Sequence, residues 1–369
     1  AYRVPLERFV VTSFGTMRDR PAVYVRIEDA AGHAGWGEIW CNWPACGAEH
    51  RARLVIEDLA ELIFAKAFDQ PQALARWLTE RTAIKVLQTD ERGPFQQAIA
   101  GLDTAIYDLA ARRAGVPLYA LLTPGSTGRI KVYASGMHIA EAPRMIAAAR
   151  AEGYAAFKVK VGFDPKADAA AVEKLAATLA AGERVMIDAN QSWTIEQATT
   201  FLDALGDVAP LWFEEPMRVD TPAEVWRDLA QSSAVPLAGG ENFTSRGDFT
   251  DAIALGALGV IQPDVAKWGG VSGCVEMGRL ARAGGRIYCP HFLGGGVGLA
   301  ASAHLLAAVG GDGLLEIDAN DNPLRGAVTG ERWRIEDGMV DISTAPGIGC
   351  APDLDGLAGY ETGRFEVCR

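Results

Sequence analysis

The chain has 369 residues, of which 49% are hydrophobic and 22% charged, and its formal net charge is −12. This length exceeds what one hydrophobic core usually supports, so we expect one large and one smaller domain. The acidic balance argues against a protein that binds nucleic acid, whose surface would be basic. No apolar run approaches the roughly 18 residues that cross a bilayer, so no membrane segment is predicted.

The six cysteines show neither a CxxC pair nor the spacing of a zinc site. In a chain of this length the simplest interpretation is reduced, buried thiols in a cytoplasmic protein. The first residues, AYRVPL, lack the charged head and apolar stretch of a signal peptide. Such a segment is therefore either absent or already removed.

The first third of the chain predicts an α+β domain. Residues 4–12 and 21–28 are rich in β-branched and aromatic side chains, as strands are, and the glycines before Trp36 indicate a turn. From residue 49 to about 115, alanine, leucine and charged residues recur at helical spacing. Strands followed by a helical block are typical of an α+β domain, and the loop-like segment 123–128 indicates its end.

From residue 129 onward, short apolar strands alternate with alanine-rich helices. Repeated βα units of this length predict a parallel sheet, and eight strands predict a closed barrel. The predicted strands cover residues 130–135, 156–161, 185–188, 211–215, 236–240, 259–263, 286–290 and 314–317.

Seven of these strands carry an ionisable residue at or just after their ends, at a mean interval of 26 residues. That interval equals one βα unit, so each unit delivers one such side chain to the same end of the barrel. A single acid after a strand is usually a solvated loop charge, but seven in register indicate an active site at the C-terminal end of the strands. The residues are Lys160, Asp188, Glu214, Glu241, Asp264, His291 and Glu316.

Three consecutive strands end in acids, namely Asp188, Glu214 and Glu241. Converging carboxylates repel one another and raise one another's pKa unless a cation lies between them. Ligands that are all oxygen suit Mg²⁺, with Mn²⁺ as the alternative ion, and leave positions for water or substrate. Surface acids paired with bases are the other interpretation, but the flanking residues are apolar or glycine.

Two lysines and a His–Asp pair are the predicted proton carriers. Lys158 and Lys160 are two positions apart in a strand, so both should point into the barrel mouth. Each ammonium group lowers the pKa of the other, which suits a base. Asp264 and His291 follow adjacent strands, and a carboxylate bonded to one imidazole nitrogen makes the other nitrogen a better base. His138 also follows a barrel strand and is a candidate for contacting substrate.

These residues resemble the enolase superfamily, and within it the mandelate racemase subgroup, in which a lysine or histidine base works beside magnesium. Asp264 stands where muconate-lactonizing and dipeptide-epimerase relatives carry a lysine, which favours the racemase-like subgroup. Lys267 matches a non-catalytic lysine of those relatives. The matching segments are Gly35-Trp36-Gly37-Glu38, similar to a glycine-rich turn of the capping domain, Lys158-Val159-Lys160, the three acids, Gln262-Pro263-Asp264 with Gly269-Gly270, Pro290-His291, and Glu316 after the last strand.

The resemblance implies an α/β fold, a (β/α)7β TIM-type barrel with an α+β capping domain formed by the N-terminal region and the C-terminal tail. The predicted division is 1–125 for the capping domain, 126–330 for the barrel and 331–369 for a segment that returns to the capping domain. It further implies a small-molecule carboxylate substrate and a homo-oligomer, either a dimer or an octamer.

The predicted reaction is removal of the α-proton of a carboxylate, with Lys160 on one face of the carbon and His291 on the other. Lys158 would neutralise the substrate carboxylate. Loss of a β-hydroxyl would then give a keto acid, which is the outcome that the resemblance favours for acid sugars. Reprotonation on the opposite face would instead make a racemase or epimerase of a 2-hydroxy or amino acid. A barrel that binds a ligand without turnover is the alternative from another class.

Further predicted substrate contacts come from loops and strand ends. Segments 14–20 and 40–44 are candidates to close over the site. Arg18 or Arg20 would meet a distal carboxylate, and the alternative is that each is an ordinary surface arginine. The predicted substrate-binding residues are Lys158, Asn190, His138, Arg18 and Trp40.

Overall fold

A computed structural model describes residues 1–12, 15–329 and 333–368. The predicted loop 14–20 therefore begins at a residue outside the described part of the chain. Within the described ranges, every helix is too short or too polar to cross a lipid bilayer. The cysteines are all free, but Cys46 and Cys368 are exposed, so the expectation of buried thiols is wrong for these two.

The N-terminal region consists of an antiparallel sheet, with β2 between β1 and β3, and a group of helices. The strands are β1 (Tyr2–Thr12), β2 (Gly15–Glu28) and β3 (Ala34–Ile39). The helices are α1 (Gly47–Arg53), a π-helical segment (Leu54–Leu59), α2 (Ala60–Phe64), α3 (Pro71–Thr89), α4 (Arg92–Ala114) and α5 (Leu118–Leu122).

The predicted turn at Gly35 and the glycine-rich turn over residues 35–38 are wrong, because these residues lie inside β3. Their glycines serve close packing instead of turning. A Cβ atom on Gly37 would lie 1.9 Å from the carbonyl oxygen of Gly101 in α4. Only a residue without a side chain allows the strand to approach the helix this closely.

The barrel consists of eight parallel strands that alternate with seven helices, which confirms the predicted (β/α)7β order. The strands are β4 (Arg129–His138), β5 (Ala156–Lys160), β6 (Arg184–Asp188), β7 (Phe213–Glu214), β8 (Leu237–Gly239), β9 (Val260–Ile261), β10 (Ile287–Tyr288) and β11 (Leu314–Asp318). The helices are α6 (Ala142–Ala151), α7 (Pro165–Ala176), α8 (Ile195–Leu205), α9 (Ala223–Ser232), α10 (Arg246–Leu255), α11 (Gly270–Ala283) and α12 (Gly296–Val309).

Strands β4 to β10 pair in chain order, and β11 pairs with β4 on the other side. Among the described residues β10 and β11 share no backbone ladder. Contact across this seam is made by the amide of Leu314, which donates to Sγ of Cys289 at 3.3 Å. The sheet is thus rolled up, and the strand ends at its C-terminal side, which we call the barrel mouth, face one another.

An apolar layer inside the barrel forms the floor beneath the mouth. Its buried side chains come from seven of the strands or the residues beside them: Tyr133, Ala156, Met186, Trp212, Ala238, Val260 and Cys289. Because side chains alternate along a strand, the residues two positions further on point to the same side and reach the mouth. The polar side chains at the mouth therefore lie directly above a packed apolar layer.

The last part of the chain contacts both regions. Helix α13 (Pro323–Thr329) is followed by the short strands β12 (Ile335–Glu336) and β13 (Met339–Asp341). Strand β13 adds antiparallel to β4, so this hairpin belongs to the barrel sheet. After a 3₁₀ turn (Ala358–Tyr360), Glu361 forms a bridge with Tyr2 of β1.

Candidate active site

Lys158 lies at the centre of the buried charges in the barrel mouth. Its ammonium group lies 2.8 Å from Oε1 of Glu316 and 3.6 Å from Oδ2 of Asp188, and it also contacts Oε1 of Glu214. Burial by itself would lower the pKa of Lys158, but Glu214 and Glu316 raise it well above the ordinary value. The surrounding acids therefore favour the charged form of Lys158.

Lys160 is placed by the same strand, one step nearer to solvent. It is in register with His138 of β4 and Asp188 of β6, and its Nζ lies 2.5 Å from Oδ2 of Asp188. Burial opposes the charge, but Asp188 raises the pKa of Lys160 above its ordinary value. Lys158 acts to lower this pKa, as expected, but the carboxylate of Asp188 outweighs the neighbouring ammonium, so the net change is upward.

Asp264 and His291 form the predicted dyad. A parallel bridge joins the two residues, and Nδ1 of His291 lies 2.8 Å from Oδ2 of Asp264. The other carboxylate oxygen of Asp264 accepts from the amides of Ala266 at 2.8 Å and Lys267 at 3.1 Å. Since an ionised carboxylate only accepts, Nδ1 carries the proton and Nε2 is the nitrogen that faces the mouth.

His291 Nε2 faces two acids. It contacts Oε2 of Glu241 and lies 3.7 Å from Oε2 of Glu316. Burial would lower the pKa of the imidazole, but Glu241 and Glu316 raise it to about 10. Lys267 also contacts Glu241, with Nζ 3.3 Å from Oε1. With burial opposing them, His291 and Lys267 hold the pKa of Glu241 well below its ordinary value.

Glu316 joins three parts of the mouth. Besides Lys158, it accepts from Oγ of Ser135 at 2.5 Å and from the amide of Phe292 at 3.1 Å. The second bond ties the residue after His291 to β11. Glu316 therefore positions the loop that carries the imidazole and balances the charge of Lys158.

Glu214 has a different environment from the other two predicted metal ligands. One of its oxygens, Oε2, accepts from Nε2 of Gln262 at 2.6 Å and from Nε1 of Trp212 at 3.0 Å. Burial raises the pKa of Glu214 to about 7, although Lys158 acts in the opposite direction. Asp188 has a lowered pKa, because Lys160 and Lys158 outweigh its burial.

The three predicted metal ligands lie at or just after the ends of adjacent strands and are buried or nearly so. In the described part of the chain no three acidic, histidine or cysteine side chains converge as a metal cluster. Instead, Asp188, Glu214 and Glu241 each contact a lysine or histidine. The donor set, three carboxylates with no sulfur, fits a hard divalent cation such as Mg²⁺, and the basic side chains supply the opposite charge in this arrangement.

Glu215 is a site residue that the sequence analysis missed. It is 3% exposed, and both of its oxygens accept from Nδ2 of Asn242, at 2.9 and 3.0 Å. Burial, with Glu241 and Asp188 nearby, raises its pKa well above the ordinary value. Strand alternation assigns Glu215 to the face opposite Glu214, but its φ of 39° turns it back toward the mouth. The two consecutive acids in Phe213-Glu214-Glu215-Pro216 were the sequence signal that could have identified Glu215 as a site residue.

The predicted substrate-binding residues are not equally placed. The amide of Asn190 donates to Asp188 Oδ1 at 2.8 Å, so Asn190 borders the site. Trp40 lies under Lys267, whose Nζ is 4.9 Å from the ring centroid. His138 is in register with Lys160 but packs its ring on Phe163.

The two arginines of β2 differ from each other. Arg18 is exposed and lies over the ring of Phe9, at 4.8 Å. Arg20 is buried and reaches Asp318 at the end of β11. Of the two, Arg20 is the one that meets the barrel mouth, and it meets an acid of this chain there.

Comparison with family models matches both regions of the chain. Residues 2–123 match the mandelate racemase / muconate lactonizing enzyme N-terminal domain. Residues 141–356 match the enolase C-terminal domain-like model. The matched ranges cover the N-terminal strands and helices and nearly all of the barrel.

Curated relatives and solved structures align over almost the whole chain. D-galactarolactone cycloisomerase from Agrobacterium fabrum is 29% identical, covering 92% of this chain and 91% of its own length. Arabinonate dehydratase from Saccharolobus solfataricus is 28% identical, covering 89% and 87%.

Two solved structures show the same fold. A mandelate racemase/muconate lactonizing enzyme from Bordetella bronchiseptica RB50 is 49% identical, with a TM-score of 0.89 over 97% of this chain and 99% of that one. An enolase from Bradyrhizobium, crystallised with magnesium and mandelic acid, is 28% identical, with a TM-score of 0.85 over 98% and 96%.

Proposed function

Because this chain belongs to the mandelate racemase / muconate lactonizing enzyme family of the enolase superfamily, we propose that it abstracts the α-proton of a hydroxy acid. The proposed overall reaction is dehydration of an acid sugar to a keto acid. The observation that carries the proposal is that Lys160 and the His291–Asp264 dyad lie at one barrel mouth with the carboxylates of Asp188 and Glu241.

We propose Mg²⁺ as the cofactor, since the Bradyrhizobium relative was crystallised with magnesium and a 2-hydroxy acid. Asp188, Glu214 and Glu241 would hold the ion, with Mn²⁺ as the alternative. When bound, it would act as a Lewis acid that stabilises the negative charge developing on the substrate carboxylate. The positive charge of the ion would replace that of Lys160 and His291 as partner of these acids, which frees both bases for substrate.

The residues of this chain divide the remaining work. Lys158, whose pKa the neighbouring acids raise, pairs with the substrate carboxylate. Lys160 and His291 flank the α-carbon, and one of them takes the proton, leaving an ene-diolate whose charge is larger than that of the ground state. Asp264 keeps the proton of His291 on Nδ1, so that Nε2 faces the substrate. In dehydration, protonated His291 then donates to the departing β-hydroxyl.

Racemisation or epimerisation of a 2-hydroxy or amino acid is the second candidate. It is favoured by the presence of two different bases, since reprotonation from the opposite face inverts the carbon. One of the relatives reported above is a dehydratase, which supports elimination as the first candidate. A barrel that only binds ligand would not require a His–Asp dyad aimed at the mouth.

We also propose a cytoplasmic homo-oligomer, a dimer or an octamer, whose domains follow the predicted boundaries at 125 and 330. Free thiols support the compartment. Exposed Ile84 and Leu87 on α3, at 72% and 73%, support contact between subunits, because large apolar side chains are seldom left in water together. Light scattering coupled to size-exclusion chromatography measures the assembly.

The test is a library of hydroxy acids incubated with the protein and Mg²⁺ in deuterium oxide. We expect deuterium at the α-carbon, a keto-acid product, or both, for at least one acid. Lys160→Ala and His291→Asn should each lower turnover by about 10³-fold or more in one stereochemical series, as expected when a general base is lost. No exchange and no elimination across the library would contradict the proposal.

A further inference from the structure

Arg20 connects the N-terminal sheet with the barrel mouth. Its Nη2 lies 2.5 Å from Oδ2 of Asp318, and both residues are buried, at 4% and 6% exposure. Nη1 contacts Sδ of Met17 at 3.5 Å. Nε is buried as well, and among the described residues it has no hydrogen-bond partner. The Nε–H group is therefore left as a donor that a further acceptor could pair with.

Asp318 lies at the C-terminal end of β11, so the pair of Arg20 and Asp318 lies at the barrel mouth. It follows Glu316 by two residues in β11, so both side chains point to the same face of the strand. The two positions are separated by about 7 Å along the strand. Glu316 contacts Lys158, which we assign to the substrate carboxylate. The guanidinium group is therefore held further along β11, toward the C-terminal end of the strand, than the group that we assign to the substrate carboxylate.

The charge of the pair decides which group fits there. Arg20 is already neutralised by Asp318, so a second substrate carboxylate would give the group a net negative charge and be repelled by Asp318. A hydroxyl group suits both partners, because it can accept from Nε of Arg20 and donate to the carboxylate of Asp318. The prediction that an arginine of this segment meets a distal carboxylate is thereby replaced by a hydroxyl site.

Building on the proposed function, we infer that Arg20 and Asp318 bind the distal hydroxyl group of the substrate. The pair selects monocarboxylic polyhydroxy acids, the aldonic acids, over the corresponding dicarboxylic acids and over acids that lack the distal hydroxyl. Asp318 already accepts from Arg20 and, through Oδ1, from Asn320, so Nε of Arg20 is the group that an analogue without the hydroxyl leaves unpaired.

Three acids of one stereochemical series test the inference: a hexonic acid, its 6-deoxy counterpart and the matching hexaric acid. For each we would measure kcat/KM with Mg²⁺ and Kd by calorimetry. The unmodified protein should prefer the hexonic acid by about 10- to 100-fold, the range expected for a charge-assisted hydrogen bond.

Arg20→Lys keeps the positive charge and removes Nε. We expect this variant to lose affinity for the hexonic acid until its preference over the deoxy acid falls below about threefold. Asp318→Asn leaves Arg20 unpaired, so it should shift the preference toward the hexaric acid by about tenfold or more. Arg26→Lys, the same change at an exposed position of β2, is the control and should keep the original ratios.

The outcomes separate this inference from the proposed function. If no acid in the series shows exchange or elimination, the proposed function fails, and the calorimetric ratios still decide the role of Arg20. Unchanged ratios in Arg20→Lys overturn the inference even if turnover is normal. If Arg20→Lys does not fold, as shown by the loss of a cooperative thermal transition, Asp318→Asn becomes the test. An unchanged preference of that variant for the hexonic over the hexaric acid would then overturn the inference.

Discussion

At the barrel mouth buried acids contact lysine and histidine side chains, whereas two acids of the N-terminal region, Glu38 and Asp103, accept from backbone amides of the barrel. The first kind is represented by Glu316, beside Lys158. The second is represented by Glu38 of β3, whose two oxygens accept from the amides of Gly295 at 2.5 Å and Gly298 at 2.9 Å. An acid that is paired with a lysine or histidine side chain can exchange this partner for a ligand. An acid that is bound to backbone amides of a helix end cannot.

Two boundary acids close the N-termini of adjacent barrel helices. Glu38 does so for α12, and Asp103 of α4 does so for α11, where it accepts from the amide and hydroxyl of Ser272 at 2.8 and 2.7 Å. These two helices follow the strands that precede His291 and Asp264. The helix dipole favours a carboxylate at this end. The N-terminal region thus holds the dyad-bearing units in place through helix ends and not through ion pairs.

The largest effect should come from removing the central charge of the mouth. Lys158→Met leaves Glu214 and Glu316 without their shared cation, and breaking a buried pair costs about 3–5 kcal/mol. Urea denaturation without added metal measures the loss. Lys131→Met is the matched control on β4, because its partner Asp312 is exposed and a surface pair is worth about 1 kcal/mol or less. Equal urea midpoints for the two variants would show that the buried charge of Lys158 stabilises the protein no more than the exposed charge of Lys131.

The two boundary acids, Glu38 and Asp103, should make the free energy of unfolding depend on pH. Burial raises the pKa of Glu38 to about 7 and that of Asp103 to about 7, although backbone amides act in the opposite direction. The folded protein therefore holds these protons more tightly than the unfolded chain. This stabilisation is complete below the unfolded pKa values near 4 and is lost as pH rises through about 7, by roughly 3–4 kcal/mol per group.

Glu38→Gln and Asp103→Asn remove one titration each. We expect the free energy of unfolding to fall less steeply between pH 5 and pH 8 in either variant than in the unmodified protein. The double variant should be the flattest. Identical slopes in all four proteins would show that the amides, and not burial, set these pKa values.

Much of the mouth was predictable because the βα repeat fixes which residues reach the same barrel end. Lys160, Asp188 and Glu214 are in register on adjacent strands, and their spacing in the sequence predicts this register. Glu215 was not predictable, since a positive φ overrides strand alternation. The bond between Glu38 and Gly295 spans 257 positions between separate regions, and no local pattern encodes such a distance.

The close approach of β3 to α4 delivers Glu38 to the barrel, and Gly37→Ala tests it. The added methyl group would collide with the backbone oxygen of Gly101, so we expect a loss of about 1–3 kcal/mol. Gly326→Ala in α13 is the control, because no atom lies within 4 Å of its Cβ position. Thermal unfolding compares them. Equal transition temperatures would mean that the strand can move away from the helix without cost.

The smallest effect should come from an acid that closes an exposed helix end. Asp164 precedes α7, and its Oδ1 accepts from the amide of Ala167 at 2.8 Å, as the boundary acids do from theirs. Asp164→Ala should cost about 1 kcal/mol, and Asp164→Asn, which keeps the acceptor, only a fraction of that. Thermal unfolding measures both variants. A loss in Asp164→Asn as large as that in Asp164→Ala would show that the side-chain acceptor at this helix end does not stabilise the protein.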